Sequence, residues 1–303
     1  MKRQVFKNLL LSVSFLLSSC ASAPFYANEC RRYLEAGDYQ RAIQRGKEAI
    51  DAYAKNTEPY LCVSTAYLQM GHLEKAIDIL KEAERQAPSY EDLALIYNKL
   101  GFLYHLKGDL DLALTYHQKH LLVSRELSDT KGESTALANM ADIYESKGDY
   151  TKALFYYNKS VEISTDPTDI TFAYTNMARI YQKKGENEKA LENYLKAYTY
   201  AKKTNDRKFI AVSLINVGDA YRLVKDFKSA SEYLISGLEL AKQEKDKKLQ
   251  AYAYARLGFL YRDKGDRRTA KEFLKRAYDM YISLNDKSGA KSTLSELKKL
   301  EGR

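Results

Sequence analysis

A nine-residue pattern returns seven times along this chain, and it limits the fold more than any other feature. The copies read "EAGDYQRAI" from Glu35, "QMGHLEKAI" from Gln69, "LKGDLDLAL" from Leu106, "SKGDYTKAL" from Ser146, "KKGENEKAL" from Lys183, "LVKDFKSAS" from Leu223 and "DKGDRRTAK" from Asp263. Each has a turn glycine, or Lys225 in the sixth. A Tyr stands four residues before it: Tyr33, Tyr67, Tyr104, Tyr144, Tyr181, Tyr221 and Tyr261. A small residue stands seven before it (Cys30, Ser64, Gly101, Ala141, Ala178, Gly218, Gly258) and an Ala five after it, from Ala42 to Ala270. Apolar residues at helical spacing on both sides of a Gly-Asp break predict two packed helices per copy. The small columns let those helices approach closely, and the Tyr column fills the space between neighbouring hairpins. Such a period means an array of stacked units.

The turns are 34, 37, 40, 37, 40 and 40 residues apart. The increments come in threes, close to one helical turn of about 3.6 residues, so the apolar faces stay in phase. Helix formers dominate; the 303 residues include only 4 Pro, 14 Gly and no Trp, but 26 Tyr, which suits an all-α protein with half-buried rings. The net charge is +9, with basic and acidic residues interspersed. That is the pattern of a solvated surface, and no nucleic-acid stripe is expected.

In its small-residue, Tyr and Ala columns the chain resembles the tetratricopeptide repeat family. The family's Trp column is filled here by Tyr60, Tyr97, Leu137, Tyr174, Leu214 and Tyr254, and its closing Pro is clear only at Pro88. The longer repeats, such as "ALTYHQKHLLVSRELSD" at 113–129, resemble the Pins, LGN and kinesin light chain type. The resemblance implies a right-handed α-solenoid of seven hairpins over residues 23–287. Residues 288–303 would form the polar capping helix that an open array end needs. It also implies a concave groove lined by the first helix of each hairpin.

One column does not fit a packing role. Nine residues before each turn stand Asn28, Cys62, Lys99, Asn139, Asn176, Asn216 and Arg256. Asn is disfavoured in mid-helix by roughly 0.5 kcal/mol relative to Ala. A carboxamide carries a donor and an acceptor at fixed spacing, so a row of them can pair with the peptide units of an extended ligand. An asparagine ladder at this register lines the groove of some family members, O-GlcNAc transferase among them. The expected peptide-binding set is Asn28, Lys99, Asn139, Asn176, Arg179, Lys183, Asn216, Tyr252 and Arg256, with Phe172 flanking it. Its cations suggest an acidic or C-terminal carboxylate partner. The alternative is bracing: these Asn could bond neighbouring helices, with Asp142, Arg179 and Asp219 as a charge ladder between repeats. The family's separate carboxylate clamp is not reproduced at Arg31, Thr65, Phe102, Asp142, Arg179, Asp219 and Phe259.

The N-terminus reads as a targeting segment. Lys2, Arg3 and Lys7 precede "LLLSVSFLL" at 9–17, an apolar run shorter than the roughly 20 residues of a spanning helix. "LSSC" at 17–20 resembles a bacterial lipobox. That resemblance implies removal of residues 1–19, leaving about +6 on the chain, and acylation of Cys20. An ordinary secretory cut near "ASA" at 21–23 is the alternative. Ser22 and Pro24 form a helix-start signal, so residues 20–22 would be a short tether. Arg31, Arg32, Arg41, Arg45 and Lys47 could then touch anionic headgroups, or form an ordinary solvated face. By resemblance to lipoprotein sorting, Ala21 favours an outer membrane, facing the periplasm.

Chemistry is sparse. His117 and His120 lie three apart on one helix, a spacing that can ligate Zn²⁺, yet their columns hold Tyr157 and Ser160 in the next repeat, which are packing positions. No phosphate loop or Cys-pair motif occurs, so neither metal, cofactor nor enzymatic activity is expected. Cys30 and Cys62 lie on first helices of adjacent repeats, whose axes should be about 8–10 Å apart. A disulfide needs Cα atoms within about 7 Å, so two free thiols are expected. The reading is a lipid-anchored, non-enzymatic solenoid that binds protein or peptide segments as a scaffold or assembly factor in the bacterial envelope. A self-associating structural adaptor and a peptide-sensing regulator are the rivals.

Overall fold

A computed structural model of the chain describes residues 25–302. The signal segment, Cys20 and the Ser22/Pro24 helix start lie outside the described residues. Those that are described form α-helices throughout, with one short 3-10 turn and no strand. Two compact units divide at Ala153 and Leu154.

The first unit holds α1 (residues 25–35), α2 (Tyr39–Ala52), α3 (Thr57–Gln69), α4 (Leu73–Gln86), α5 (Tyr90–Lys107), α6 (Leu110–Glu126) and α7 (Thr130–Ser146). Helix α8 (Tyr150–Ile163) begins in it. The second unit holds α9 (Pro167–Lys183), α10 (Asn187–Ala201), α11 (Arg207–Leu223), α12 (Phe227–Gln243), α13 (Lys247–Asp263), α14 (Arg267–Ser283) and α15 (Lys287–Glu301). Within each unit successive helices pair antiparallel across short turns, as the seven-fold pattern predicts.

The turns show why the columns exist. At the end of α5, Gly108 is left-handed (φ 86°) and the Asp109 N–H donates to the Tyr104 carbonyl at 3.0 Å. This six-to-one bond closes the helix end, and the Tyr column supplies the acceptor in every copy. Asp109 then caps α6, its carboxylate accepting from the Leu112 N–H at 3.2 Å. In the sixth hairpin Lys225 takes the left-handed conformation (φ 64°), at a cost of about 1 kcal/mol. The breaks between hairpins use the same device with Ser128, Asn205, Lys245 and Asn285 at φ 54–56°, each followed by an Asp at the next helix start.

The first unit's core joins Tyr60, Val63, Leu80, Ile96, Leu100, Leu103 and Ile143, all 2% exposed or less. Cys30 and Cys62 form a disulfide there, with Cα atoms 6.4 Å apart, which corrects the expectation of free thiols. The axis separation misled because each Cα lies about 2.3 Å off its axis. Residues on facing sides of two helices are therefore several ångströms closer than the axes are. Gly46 on α2 adds to the closeness: a Cβ there would lie 2.2 Å from Val63 and 2.9 Å from the Cys30 sulfur.

In the second unit, Ile215, Leu234, Leu257 and Leu260 are fully enclosed, with Tyr221 and Tyr261 packed against them. Further along, Leu274 and Ala270 of α14 pack against Leu300 of α15, which closes the last hairpin as a capping helix should. The Arg267 guanidinium also donates to the Leu300 carbonyl at 3.1 Å. No helix among the described residues is long and apolar enough to cross a membrane.

Candidate peptide-binding trough

Helix α5 carries apolar side chains all round, from "LALI" at 93–96 to Leu106. Leu100, Leu103 and Ile96 face the core, and Leu95, Phe102 and Leu106 remain 53%, 46% and 54% exposed. The spacing of these three places them along one side of the helix. They border a trough between α5 and α7, floored by α6. Its larger part, about 580 Å³, is lined by Asn98, Lys99, Phe102, His105, Leu106, His117, Thr135, Asn139 and Asp142. A second cavity of about 420 Å³ continues from Asn98 toward the start of α5.

Asn98 and Asn139 meet where the two parts join. The Asn139 amide nitrogen donates to the Asn98 carbonyl oxygen at 3.0 Å. The bond leaves one amide N–H₂ on Asn98 and one carbonyl oxygen on Asn139 with no other partner among the described residues. A donor and an acceptor thus stand side by side at the trough wall, the pair that one peptide unit needs. Lys99 is exposed beside them. His105 forms a hydrogen bond with the Ser146 hydroxyl at 2.9 Å.

The floor is polar but uncharged. His117 is 2% exposed, its ring against Gly101. Burial, with His120 and His105 adding to it, pushes the His117 imidazole down to about 3, so it is neutral at ordinary pH. Burial also lowers His120, against the pull of Asp129. Neither Nδ1 atom has a hydrogen-bond partner among the described residues. No group of three or more metal-ligating side chains occurs among the described residues.

In the second unit the same column is tied into the protein. The Tyr252 hydroxyl donates to Asn216 Oδ1 at 3.0 Å. Arg256 pairs with Asp219 at 3.3 Å and lies over the Tyr252 ring at 4.8 Å. Asp219, 8% exposed, also accepts from Arg222 at 2.8 Å, and Arg222 reaches on to Asp263. Arg262 links Asp263 at 2.8 Å to Glu296 of α15. These contacts make a charge ladder from α11 through α13 to the cap. The expected ladder placed Asp219 between repeats through Arg179; its partners are Arg222 and Arg256. On α9, Arg179 donates to the Asn176 carbonyl oxygen at 2.9 Å, and Arg179 and Lys183 are exposed. Phe172 packs on Phe209 with ring centres 5.0 Å apart.

At the other end of the chain Asn28 is exposed on α1. The basic residues around it are compensated: Arg31 pairs with Glu58, Arg32 with Glu29 at 2.8 Å, and Arg45 with both Glu48 and Glu29. Sequence reasoning found Lys99 and Asn139 of the trough. It missed Asn98, Leu95 and Leu106 as site residues, and it gave Phe102 only as a position where the carboxylate clamp is not reproduced. The signal that could have shown them is the excess of apolar residues on α5 over what a single buried face needs.

The comparisons agree with this architecture. Tetratricopeptide repeat models match residues 33–100, 92–166, 169–243 and 251–281. No curated protein sequence matches the chain. Among solved structures, the apo form of RapI is 19% identical with a TM-score of 0.71, covering 92% of this chain and 81% of that one. The apo form of the quorum sensor NprR from B. thuringiensis is 15% identical with a TM-score of 0.62, covering 99% and 93%. BtubC from P. vanneervenii is 18% identical with a TM-score of 0.61, covering 72% and 91%. At such identities the likeness is one of fold. The repeat models, which together span most of the sequence, settle the family: this chain belongs to the tetratricopeptide repeat proteins.

Proposed function

We propose that this is a non-enzymatic, lipid-anchored repeat protein that holds an extended segment of a protein partner in the α5–α7 trough. The observation that carries the reading is the Asn98–Asn139 pair, with its unused donor and acceptor, between three half-exposed apolar side chains. Carboxamides grip main chain, and Leu95, Phe102 and Leu106 supply the apolar contact that gives affinity. In the second unit the column braces the stack, since Asn216, Asp219 and Arg256 are already bonded to neighbouring helices. An acidic partner is not part of this proposal, because Arg256 is neutralised by Asp219.

The anchor is Cys20, acylated after loss of residues 1–19, and the site of action is the bacterial envelope. In a diderm cell that is the outer membrane, facing the periplasm. The Cys30–Cys62 disulfide supports this placement, since such bonds persist in oxidising compartments. A crosslinking pull-down from envelope membranes tests the trough. Phe102→Asp with Leu106→Asp should abolish capture while the melting temperature stays within about 2 °C. Undiminished capture by that double variant refutes the trough. Labelled palmitate should enter the native chain and be absent from Cys20→Ser.

A further inference from the structure

The smaller cavity has features that main-chain recognition does not explain. It is lined by Glu91, Ala94, Leu95 and Asn98 of α5, His120 of α6, Leu127 that follows α6, and Asp129 at the start of α7. Two carboxylates and an imidazole therefore meet around an apolar wall.

Asp129 is anomalous among its equivalents. Asp38, Asp109, Asp149, Asp166, Asp206, Asp226, Asp246, Asp266 and Asp286 each accept a backbone N–H at the start of their helix. Asp129 occupies the same position before α7 and makes no such bond. Its carboxylate lies against Gly132, one oxygen 2.3 Å from the point a Cβ there would occupy. Glu91, in the first turn of α5, has no ion pair or hydrogen bond among the described residues either. Most carboxylates near it do: Asp92 pairs with Ser89, Glu84 with Lys119 and Glu133 with Arg125.

The independent observation is His120. It is 4% exposed, forms part of the cavity wall, and neither of its ring nitrogens has a hydrogen-bond partner among the described residues. A ligand in the cavity that bonds the ring at the wall gives it the partner that the fold does not. Burial lowers the pKa of that ring, which favours the uncharged form with its one acceptor nitrogen.

We infer that this cavity takes the cationic side chain of a lysine or arginine in the bound segment. Glu91 and Asp129 neutralise the charge at the mouth, His120 accepts a hydrogen bond at the wall, and Ala94, Leu95 and Leu127 cover the aliphatic stem. The volume of about 420 Å³ accommodates such a side chain. Asn98 belongs to both cavities, so the same segment can place its main chain on the Asn98–Asn139 pair and its cation here. The inference rests on the trough reading and gives it a charge preference: the partner is basic at this point.

The test uses purified protein with n-butylguanidinium and n-butylammonium as probes and n-butanol as the uncharged control, followed by NMR. The His120 ring and the Asp129 and Glu91 amides should shift on adding either cation, with at least tenfold weaker binding of n-butanol. Glu91→Gln with Asp129→Asn should lower cation affinity about tenfold and leave the melting curve unchanged, since neither carboxylate is bonded in the fold. Equal binding of n-butanol, or full cation affinity in the double variant, overturns the inference. The two readings separate cleanly. Partner capture lost in Phe102→Asp with Leu106→Asp, but no localised cation shift, leaves the trough and removes the cation site. Localised shifts with capture unaffected by that variant keep the cation site and remove the trough.

Discussion

The first helices of the hairpins in the two units carry the same carboxamide column and treat it differently. In the first unit Asn139 bonds another carboxamide, and the pair faces an open trough with apolar side chains in solvent. In the second, Asn216 bonds Tyr252, and Asp219, Arg222, Arg256, Asp263 and Arg262 join helix to helix up to the cap. A repeated position in an array therefore fixes where a side chain stands and leaves open what it does. The neighbours decide: Leu95, Phe102 and Leu106 on α5 leave Asn98 and Asn139 facing a ligand surface, whereas the charged residues on α11 and α13 consume the equivalent space. Cohesion differs too, being covalent in the first two repeats and ionic from the sixth repeat to the cap.

The largest expected effect attacks the covalent side. Cys30→Ser should cost about 4 kcal/mol on loop-entropy grounds, for a sequence separation of 32. Hydrogen exchange should show protection lost in α1–α4 and kept in α11–α15. Loss spread evenly over both units removes the distinction drawn here. Next is the ladder. Asp219→Ala leaves Arg222 and Arg256 without their shared partner and should cost about 3 kcal/mol, localised by exchange to α11–α13. Partner capture should persist; its loss would place the ligand surface in the second unit.

A pH effect follows in size and belongs to the first unit. His117 is held down to about 3 in the fold by burial, whereas an unfolded histidine titrates near 6.5. Below pH 6.5 the unfolded chain binds a proton the native state refuses, so stability falls as pH drops toward 3. Between pH 7 and 5 the loss should be about 2 kcal/mol, and His117→Gln should flatten the urea midpoint over that range. Smallest is Asn139→Ala, which removes one half-buried hydrogen bond and should cost about 1 kcal/mol. Its binding defect should far exceed its stability defect, a split that calorimetry and pull-down together resolve.

The repeat architecture was fully legible in the sequence, because each hairpin is specified by local signals: a left-handed residue, an Asp cap, a Tyr carbonyl and small contacts. The site was legible in part. Lys99 and Asn139 stood in a column, but a column records what repeats share. The trough depends on what α5 has and its sisters lack, and Asn98 is one residue out of register. The disulfide is not legible from axis spacing, because Cα atoms on facing sides of two helices lie several ångströms closer than the axes. Asp129 looked like every other cap, and only its missing bond sets it apart.

The bridge between Cys30 and Cys62 also bears on the fate of the molecule. Reducing surroundings deny it, and the leading hairpin then hangs on packing alone. Under a thiol reductant that end should therefore open first and be the first part of the molecule that a protease cuts.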